Sequence, residues 1–409
     1  MIPPGLGTAG GRGYLLMREL ASAGVKVAVI TSDAIPFAAV PNLKSAYLRE
    51  HRDGLDLWWV RTSKYSVAKS FRRILSWLDF EWRLYRMPKE DLPLPNAVVV
   101  SSLSLLTIVN GLLIRKRFRC RLVFEVRDIW PLTLTAEGGY SPKNPFVRAL
   151  AWLERQAYRR ADVIIGTMPN LREHVRAVLG YDRVVECIPM GYDDSDLALS
   201  LRLAMPSDLP EDYRRSFIPK GKFIIGHVGS IGITNSLEVF LECARRVDGK
   251  EGIHFLLVGK GDLKKEYQSR YSDLKNVTFA ENVEKGLVQA VLSRCDLLYF
   301  STYDSEVWRY GQSLNKVVDY MLSGKPILAS YSGYPSMINE ADCGEFVRAG
   351  DVGSLEKAVL RYSTISPAEL EAMGRRGREW ILAKRSYKTL AKKYHEILFS
   401  PDPNSRIKK

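Results

Sequence analysis

The stretch YGQSLNKVVDYMLSGKPILAS, residues 310–330, holds a complete helix-to-strand unit. Val317, Val318, Met321 and Leu322 recur at helical spacing and define one apolar face. Gly324 stops the helix, and an apolar run of strand length begins at Pro326. The front of the unit is less ordinary. Gly311, Gln312, Ser313, Leu314, Asn315 and Lys316 open the helix with small and polar groups, so the spacing predicts a helix from Gly311 onward. Such an opening serves ordinary capping, or it turns backbone amides and a lysine toward an anion.

Working outward, the same alternation of strand and helix fills the chain. Strand-like runs cover residues 26–32, 57–62, 97–102, 121–128, 161–167 and 184–190, with amphipathic segments at 13–24, 103–118 and 145–160 between them. Residues 192–222 are acidic, proline-bearing and weakly periodic, as a linker is. The alternation then resumes at 222–230, 254–262, 277–283, 295–302, 326–332 and 344–350, and residues 371–399 read as one or two basic helices. This pattern predicts an α/β protein of two doubly wound, Rossmann-like domains, 1–190 and 191–384. A helix at about 385–409 is expected to pack back on the first. Only MIPP precedes the first glycine turn, where a doubly wound domain has its central strand. Either that strand lies upstream of Met1 or the domain does without it.

The 409 residues carry a formal charge of +14, with Lys/Arg clusters at 64–86, 115–121, 155–160 and 375–393. Nucleic acid, an anionic membrane or a phosphorylated substrate could each answer to that charge. No nucleic-acid recognition motif accompanies it, so no nucleic-acid partner is expected. Five scattered cysteines lack metal-ligand or C-x-x-C spacing and read as buried free thiols of a reducing, cytoplasmic compartment. No signal peptide is visible. Residues 97–114, AVVVSSLSLLTIVNGLLI, have the length of a short membrane span, but three serines, Thr107 and Asn110 make them a strand feeding a helix.

Several motifs carry chemistry. GLGTAG at residues 5–10, with Asp33 roughly twenty residues on, matches a dinucleotide fingerprint and supports an NAD-dependent nucleotide-sugar epimerase or dehydrogenase as a competing reading. GHVGSIGITN (226–235) and VGKGDLKKEY (258–267) are strand-to-helix glycine turns, each as consistent with a tight turn as with a phosphate cradle. DDSD at 193–196 reads as linker or capping residues, and no metal site is expected. Glu125, Arg127 and Asp128 end a strand; an acid there can accept a hydroxyl proton, or Arg127 pairs with a neighbouring acid. His227, inside a glycine turn, is placed near any ligand bound there.

The ordered set TAGGRGYLLMRELASAGVKVAVIT, VFEVRDIWP, LERQAYRRADVIIGTMPNL, IPMGYD, FIIGHVGSIG, FLLVGKGD, NVTFAENV and YGQSLNKVVDYMLSGKPIL resembles the retaining GT-B glycosyltransferases of family 4. Within it the likeness is to bacterial enzymes of lipopolysaccharide O-antigen and exopolysaccharide assembly. The resemblance implies two facing domains with an interdomain cleft, the first for the acceptor and the second for a nucleoside-diphosphate sugar, UDP-linked by family expectation. It implies retention in hexosyl or N-acetylhexosaminyl transfer, with no metal and no cofactor beyond the donor co-substrate.

Matched position by position, Gly10 and Gly11 form the turn that admits the donor, and Gly229 and Ser230 begin the loop on the phosphate side. Glu281 to Val283, with Asn282 and Val283 as the binding residues, edge the base, and Asp319 binds the ribose. The family's first acidic position falls on Gly311, with Gln312, Ser313 or Glu306 as candidates to replace it. Lys316, Lys260 and the amides of Ser313, Leu314 and Asn315 are the candidates for neutralising the diphosphate. Asp128 and Lys316 are the expected catalytic residues. The implied acceptor is a polyprenyl-diphosphate-linked or saccharide hydroxyl at the inner face of the cytoplasmic membrane. Residues 64–86 fit an anionic membrane surface, or equally a helix packing its aromatics on the first core.

Overall fold

The computed structural model of the chain describes residues 11–399 except 35–39, 42, 66–70, 91, 103, 196, 199–208 and 251. The glycine motif at 5–10, including Gly10, the chain start and Asp196 lie outside the described residues. Contacts divide the chain into two compact units, Met1–Gly191 with Tyr387–Lys409, and Tyr192–Ser386.

The first unit holds two sheets. In one, β1 (Val27–Ser32) pairs in parallel with β3 (Leu55–Val60), and β3 pairs antiparallel with β2 (Tyr47–Arg52). In the other, β4 (Ala97–Ser101), β5 (Arg121–Val126), β6 (Val163–Gly166) and β7 (Val185–Cys187) run parallel in that order. The central strands are apolar on both faces because helices cover both. β5 is buried from Leu122 onward and β6 throughout. β2 was not foreseen: its YLREHR has no apolar alternation, and it forms as a half-exposed edge against β3.

The helix Arg12–Ser22 buries Leu15, Leu16 and Leu20 against this core, and the helix Tyr387–Phe399 adds Tyr387, Leu390, Tyr394 and Leu398 from the far end of the sequence. Each such buried side chain contributes about 1.5–3 kcal/mol, enough to hold the helix by packing alone. The membrane-like stretch resolves into β4 and the helix Thr107–Phe118, as expected. Among the described residues no helix is long and apolar enough to cross a membrane.

The second unit is one parallel six-stranded sheet in the order β10-β9-β8-β11-β12-β13. These strands are β8 (Phe223–Val228), β9 (Ile253–Val258), β10 (Val277–Ala280), β11 (Leu297–Ser301), β12 (Ile327–Ser330) and β13 (Gly344–Val347). Strand order reverses beside β8, so the turns after β8 and β11 open apart at the carboxyl edge, where α/β sheets take ligands. Its core runs through Ile225, Phe240, Phe255, Leu257, Tyr299 and Leu328. All five cysteines are free thiols, four of them buried.

The opening stretch departs from expectation in one respect. A short 3-10 turn, Glu306–Tyr310, precedes it, and the α-helix begins only at Asn315. Gly311 has φ 98°, a left-handed conformation that glycine adopts without steric cost, so it ends the 3-10 turn and does not start the helix. Leu314, in extended conformation, is the N-cap.

Candidate functional site

In the second unit the turns after β8 and β9 lie backbone against backbone. Gly229 N donates to Val258 O (2.9 Å) and Ile231 N to Lys260 O (3.0 Å). A Cβ on Gly259 would run into the Gly229 carbonyl, and one on Gly261 into that of Ile231. The glycines of VGKGD are therefore explained by chain packing. Gly229 differs, because a Cβ there would meet nothing closer than the Lys316 Cε and Nζ, at 3.7 Å.

Lys316 thus reaches from the first turn of its helix under the β8 turn. Its ammonium donates to the Asn235 side-chain oxygen, and among the described residues no carboxylate pairs with it. Burial lowers its pKa to about 8. A cation held in this way favours an added anion, which would restore the charge's missing partner. Asn235, in the short turn Ile233–Asn235, went unnoticed in the sequence. The only signal was a polar residue within a glycine turn, and its lysine partner is 81 positions away.

His227 belongs to β8 and is wholly buried beneath the turn, with ring nitrogens 3.2 Å from Tyr299 O and 3.3 Å from Ser230 O. Burial and then the neighbouring Lys316 charge push its pKa down to about 3, so it is neutral and supports the loop from below. Ser230 and Lys260 are exposed at the same edge. Gln312 is buried: its Oε1 accepts from Leu314 N at 3.1 Å, and its Nε2 has no partner among the described residues. Asp319 lies three residues beyond Lys316 and so shares its helix face; it is half-buried, and its carbonyl accepts from Gln289 Nε2 at 3.0 Å. Glu306 is exposed at the start of the 3-10 turn.

Lys316, Gly229, Ser230 and Lys260 are therefore brought together. Asn282 and Val283 are not with them: they follow β10, two strands from β8 or roughly 10 Å across the sheet. Asn282 is exposed and bonds the Val283 carbonyl at 3.0 Å.

In the first unit, Gly11 caps the helix Arg12–Ser22 in extended conformation. Arg12 is buried and fully engaged, donating to Glu125 Oε1 (2.8 Å) and to the carbonyls of Ile188 (2.6 Å) and Pro189 (3.2 Å). Burial alone would raise the Glu125 pKa, but Arg12, with help from Arg127, outweighs it and the carboxylate stays ionised. The partner of that acid is thus Arg12 and not Arg127.

Asp128 follows β5 with its backbone tied to the Ser102 hydroxyl, which accepts from Arg127 N (2.9 Å) and donates to Asp128 O (3.1 Å). Asp128 keeps access to solvent, yet surrounding protein atoms raise its pKa against the pull of Arg127 and Arg73.

One competing reading loses its footing here. Asp33 does not offer a carboxylate to a ribose: it accepts from Thr62 N (2.8 Å) and pairs with the Lys64 ammonium (2.6 Å). In DDSD, Asp193 accepts from the amide (2.9 Å) and hydroxyl (2.6 Å) of Ser195, a capping use.

Comparison with known families and structures accounts for both units. Residues 9–191 match the glycosyl transferase 4-like domain, and residues 222–364 match the glycosyl transferases group 1 domain. No curated protein sequence matches the chain. Among solved structures it resembles an E. coli trehalose-6-phosphate enzyme bound with UDP-2-fluoro glucose, at TM-score 0.72 and 13% identity over 96% of this chain and 97% of that one. Sucrose-phosphate synthase from Thermosynechococcus elongatus aligns at TM-score 0.67 and 18% identity, over 95% and 93%. Anabaena HepE in complex with UDP and glucose aligns at TM-score 0.61 and 15% identity, over 97% of both chains. With one domain model on each unit and the same fold throughout, the chain is a glycosyltransferase of GT-B fold, a glycosyl transferase 4-like domain followed by a glycosyl transferases group 1 domain.

Proposed function

We propose that this glycosyltransferase moves a hexosyl or N-acetylhexosaminyl group from a UDP-linked donor to a hydroxyl, with retention of configuration. The acceptor in this reading is a lipid-linked or saccharide intermediate of cell-surface polysaccharide synthesis, used at the inner face of the cytoplasmic membrane. The observation that carries the donor half is Lys316, a half-buried cation without a carboxylate partner among the described residues, beside the bare Gly229 backbone. Similar structures bound with UDP-2-fluoro glucose and with UDP and glucose support the choice of nucleotide.

In this mechanism the leaving diphosphate takes the place of the carboxylate that Lys316 lacks. Charge that builds on the departing oxygen is stabilised by a group already in position, which needs no reorganisation during reaction. The amides of the Asn315–Leu322 helix start add to this, and Lys260 adds an exposed charge. Asp319, on the same helix face as Lys316, binds the ribose, and Asn282 with Val283 edges the base two strands away. Gln312, through its unpartnered Nε2, replaces the acid missing at Gly311 in contacting the donor sugar. Asp128 orients the acceptor hydroxyl, and the leaving phosphate takes its proton in a front-side attack. Gly10 and Gly11 admit the sugar. No metal or other cofactor enters this reading.

The test is thermal stabilisation by UDP, GDP and NAD, followed by product analysis with a panel of UDP-sugars and a lipid-linked acceptor. Stabilisation by UDP and an axial-to-axial or equatorial-to-equatorial product are expected. Stabilisation by NAD alone, or an inverted product, overturns the reading.

A further inference from the structure

On the first unit, a groove of about 1010 Å³ runs between the helices Thr107–Phe118 and Pro145–Arg160. Its walls are apolar and, unusually, open to solvent: Val109 is 48% exposed, Leu113 44% and Trp152 60%. Its rim is basic. Arg115 is engaged with Asp162 Oδ1 (2.5 Å) and the Arg160 carbonyl (2.7 Å), which ties the two helices together. The side chains of Lys116, Arg119 and Arg160 have no acidic partner among the described residues.

The groove is not the reaction site. It lies where β5 and β6 begin, beside Arg121 and Asp162, whereas Asp128 follows the opposite end of β5, roughly 20 Å along the strand. Further apolar groups meet at this amino edge. The helix Phe71–Arg86 buries Trp77, Phe80 and Leu84 and runs from the carboxyl edge, where Trp77 meets Trp130 at 5.9 Å, leaving Trp82 and Tyr85 exposed in its last turns. It lies against the Thr107–Phe118 helix, where Asn110 Nδ2 reaches Glu81 Oε2 at 2.7 Å. Its end approaches the same edge, since Glu90 pairs with Arg117 at 3.7 Å. Leu94, in the loop entering β4, is 83% exposed.

We propose that this amino edge is where the protein docks on a bilayer of anionic phospholipid, with the groove receiving a lipid. A headgroup phosphate lies among Lys116, Arg119 and Arg160, and the acyl portion lies along Leu113 and Trp152. Charge complementarity selects this occupant: apolar walls ringed by unpaired cations match an anionic amphiphile better than a neutral protein face. The inference supplies a surface for the membrane association proposed above. It is read without any sugar transfer, so its failure leaves the transferase reading standing.

The experiment is co-sedimentation of the full chain with vesicles of phosphatidylcholine alone, or with about one third phosphatidylglycerol, at roughly 0.1 M salt. Binding to the anionic vesicles only is expected, along with quenching of tryptophan fluorescence by brominated acyl chains. Lys116→Glu with Arg119→Glu and Arg160→Glu should weaken binding by more than about tenfold. Leu113→Ser with Trp152→Ser should remove the fraction that resists added salt. Undiminished binding of the charge-reversed protein overturns the proposal, as does equal binding of the wild-type chain to both vesicle types. So does an absence of vesicle binding together with self-association that these substitutions abolish, because the face would then join two copies of the chain. The salt dependence and quenching are read on the unaltered protein and hold even if a variant fails to fold.

Discussion

Arg12, buried in the first unit, and Lys316, half-buried in the second, are both cations close to glycines, and their surroundings are opposite. Arg12 has a carboxylate and two carbonyls, and its charge is balanced within the chain. Lys316 has one amide oxygen and a pKa lowered to about 8. The first arrangement is complete without a ligand and joins a helix, a strand and the segment after β7. The second is unbalanced without one. Burial of a charge therefore does not by itself point to a ligand; a charge left uncompensated is the candidate to meet one.

The largest expected effect breaks the balanced member. Arg12→Met strands a buried Glu125 carboxylate and should cost about 3–5 kcal/mol of stability in denaturant unfolding. A loss within about 0.5 kcal/mol, the range of ordinary surface changes, would mean the pair is not the lock described here. Lys316→Met should do the reverse, lowering turnover by more than about tenfold while leaving stability equal or higher. Wild-type turnover in that variant removes Lys316 from the site.

A smaller effect sharpens the contrast through pH. Folding lowers the Lys316 pKa from its ordinary 10.5 to about 8. Between those values the unfolded chain holds a proton that the folded chain has released, so this residue's contribution to stability rises with pH across that window. In the proposed reading UDP affinity runs the other way, because there the diphosphate pairs with the charged amine. It should weaken by up to about tenfold from about pH 7 to 9, a slope absent in Lys316→Met. Titration calorimetry reads both, and a wild-type affinity that is flat across the range would show that the lysine does not face the nucleotide.

Most strands were legible because parallel strands covered on both sides are short apolar runs, but several runs overshot their strands: 161–167, 277–283, 326–332 and 344–350 each gave four residues, and 184–190 gave only Val185–Cys187. β2 was not, since an edge strand in a half-exposed hairpin needs no such run. The helix start was misplaced by four residues because sequence spacing does not register the 3-10 turn before Gly311. At the site, Lys316 could be picked out by its place near a helix start, but its contact with Gly229 and Asn235 depends on three turns meeting at one sheet edge. Arg12 was invisible as a lock because Glu125 lies 113 residues away. Asp33 misled because a short-range spacing says nothing about Thr62 and Lys64, which reach it across the β1–β3 pair.

The helix Tyr387–Phe399 gives its side chains to the first unit, although the whole second unit separates it from the rest of that unit in sequence. The ends of the second unit are adjacent: Tyr192 N bonds Arg385 O at 3.0 Å, and Tyr192 bridges Ser386. During synthesis, then, the helix Arg12–Ser22 waits for the helix that packs on it until residue 399 has emerged. The second unit has all its strands and helices before that point. Domains usually mature in the order they leave the ribosome; in this chain the inner unit completes first, and the outer one closes around a helix that arrives last.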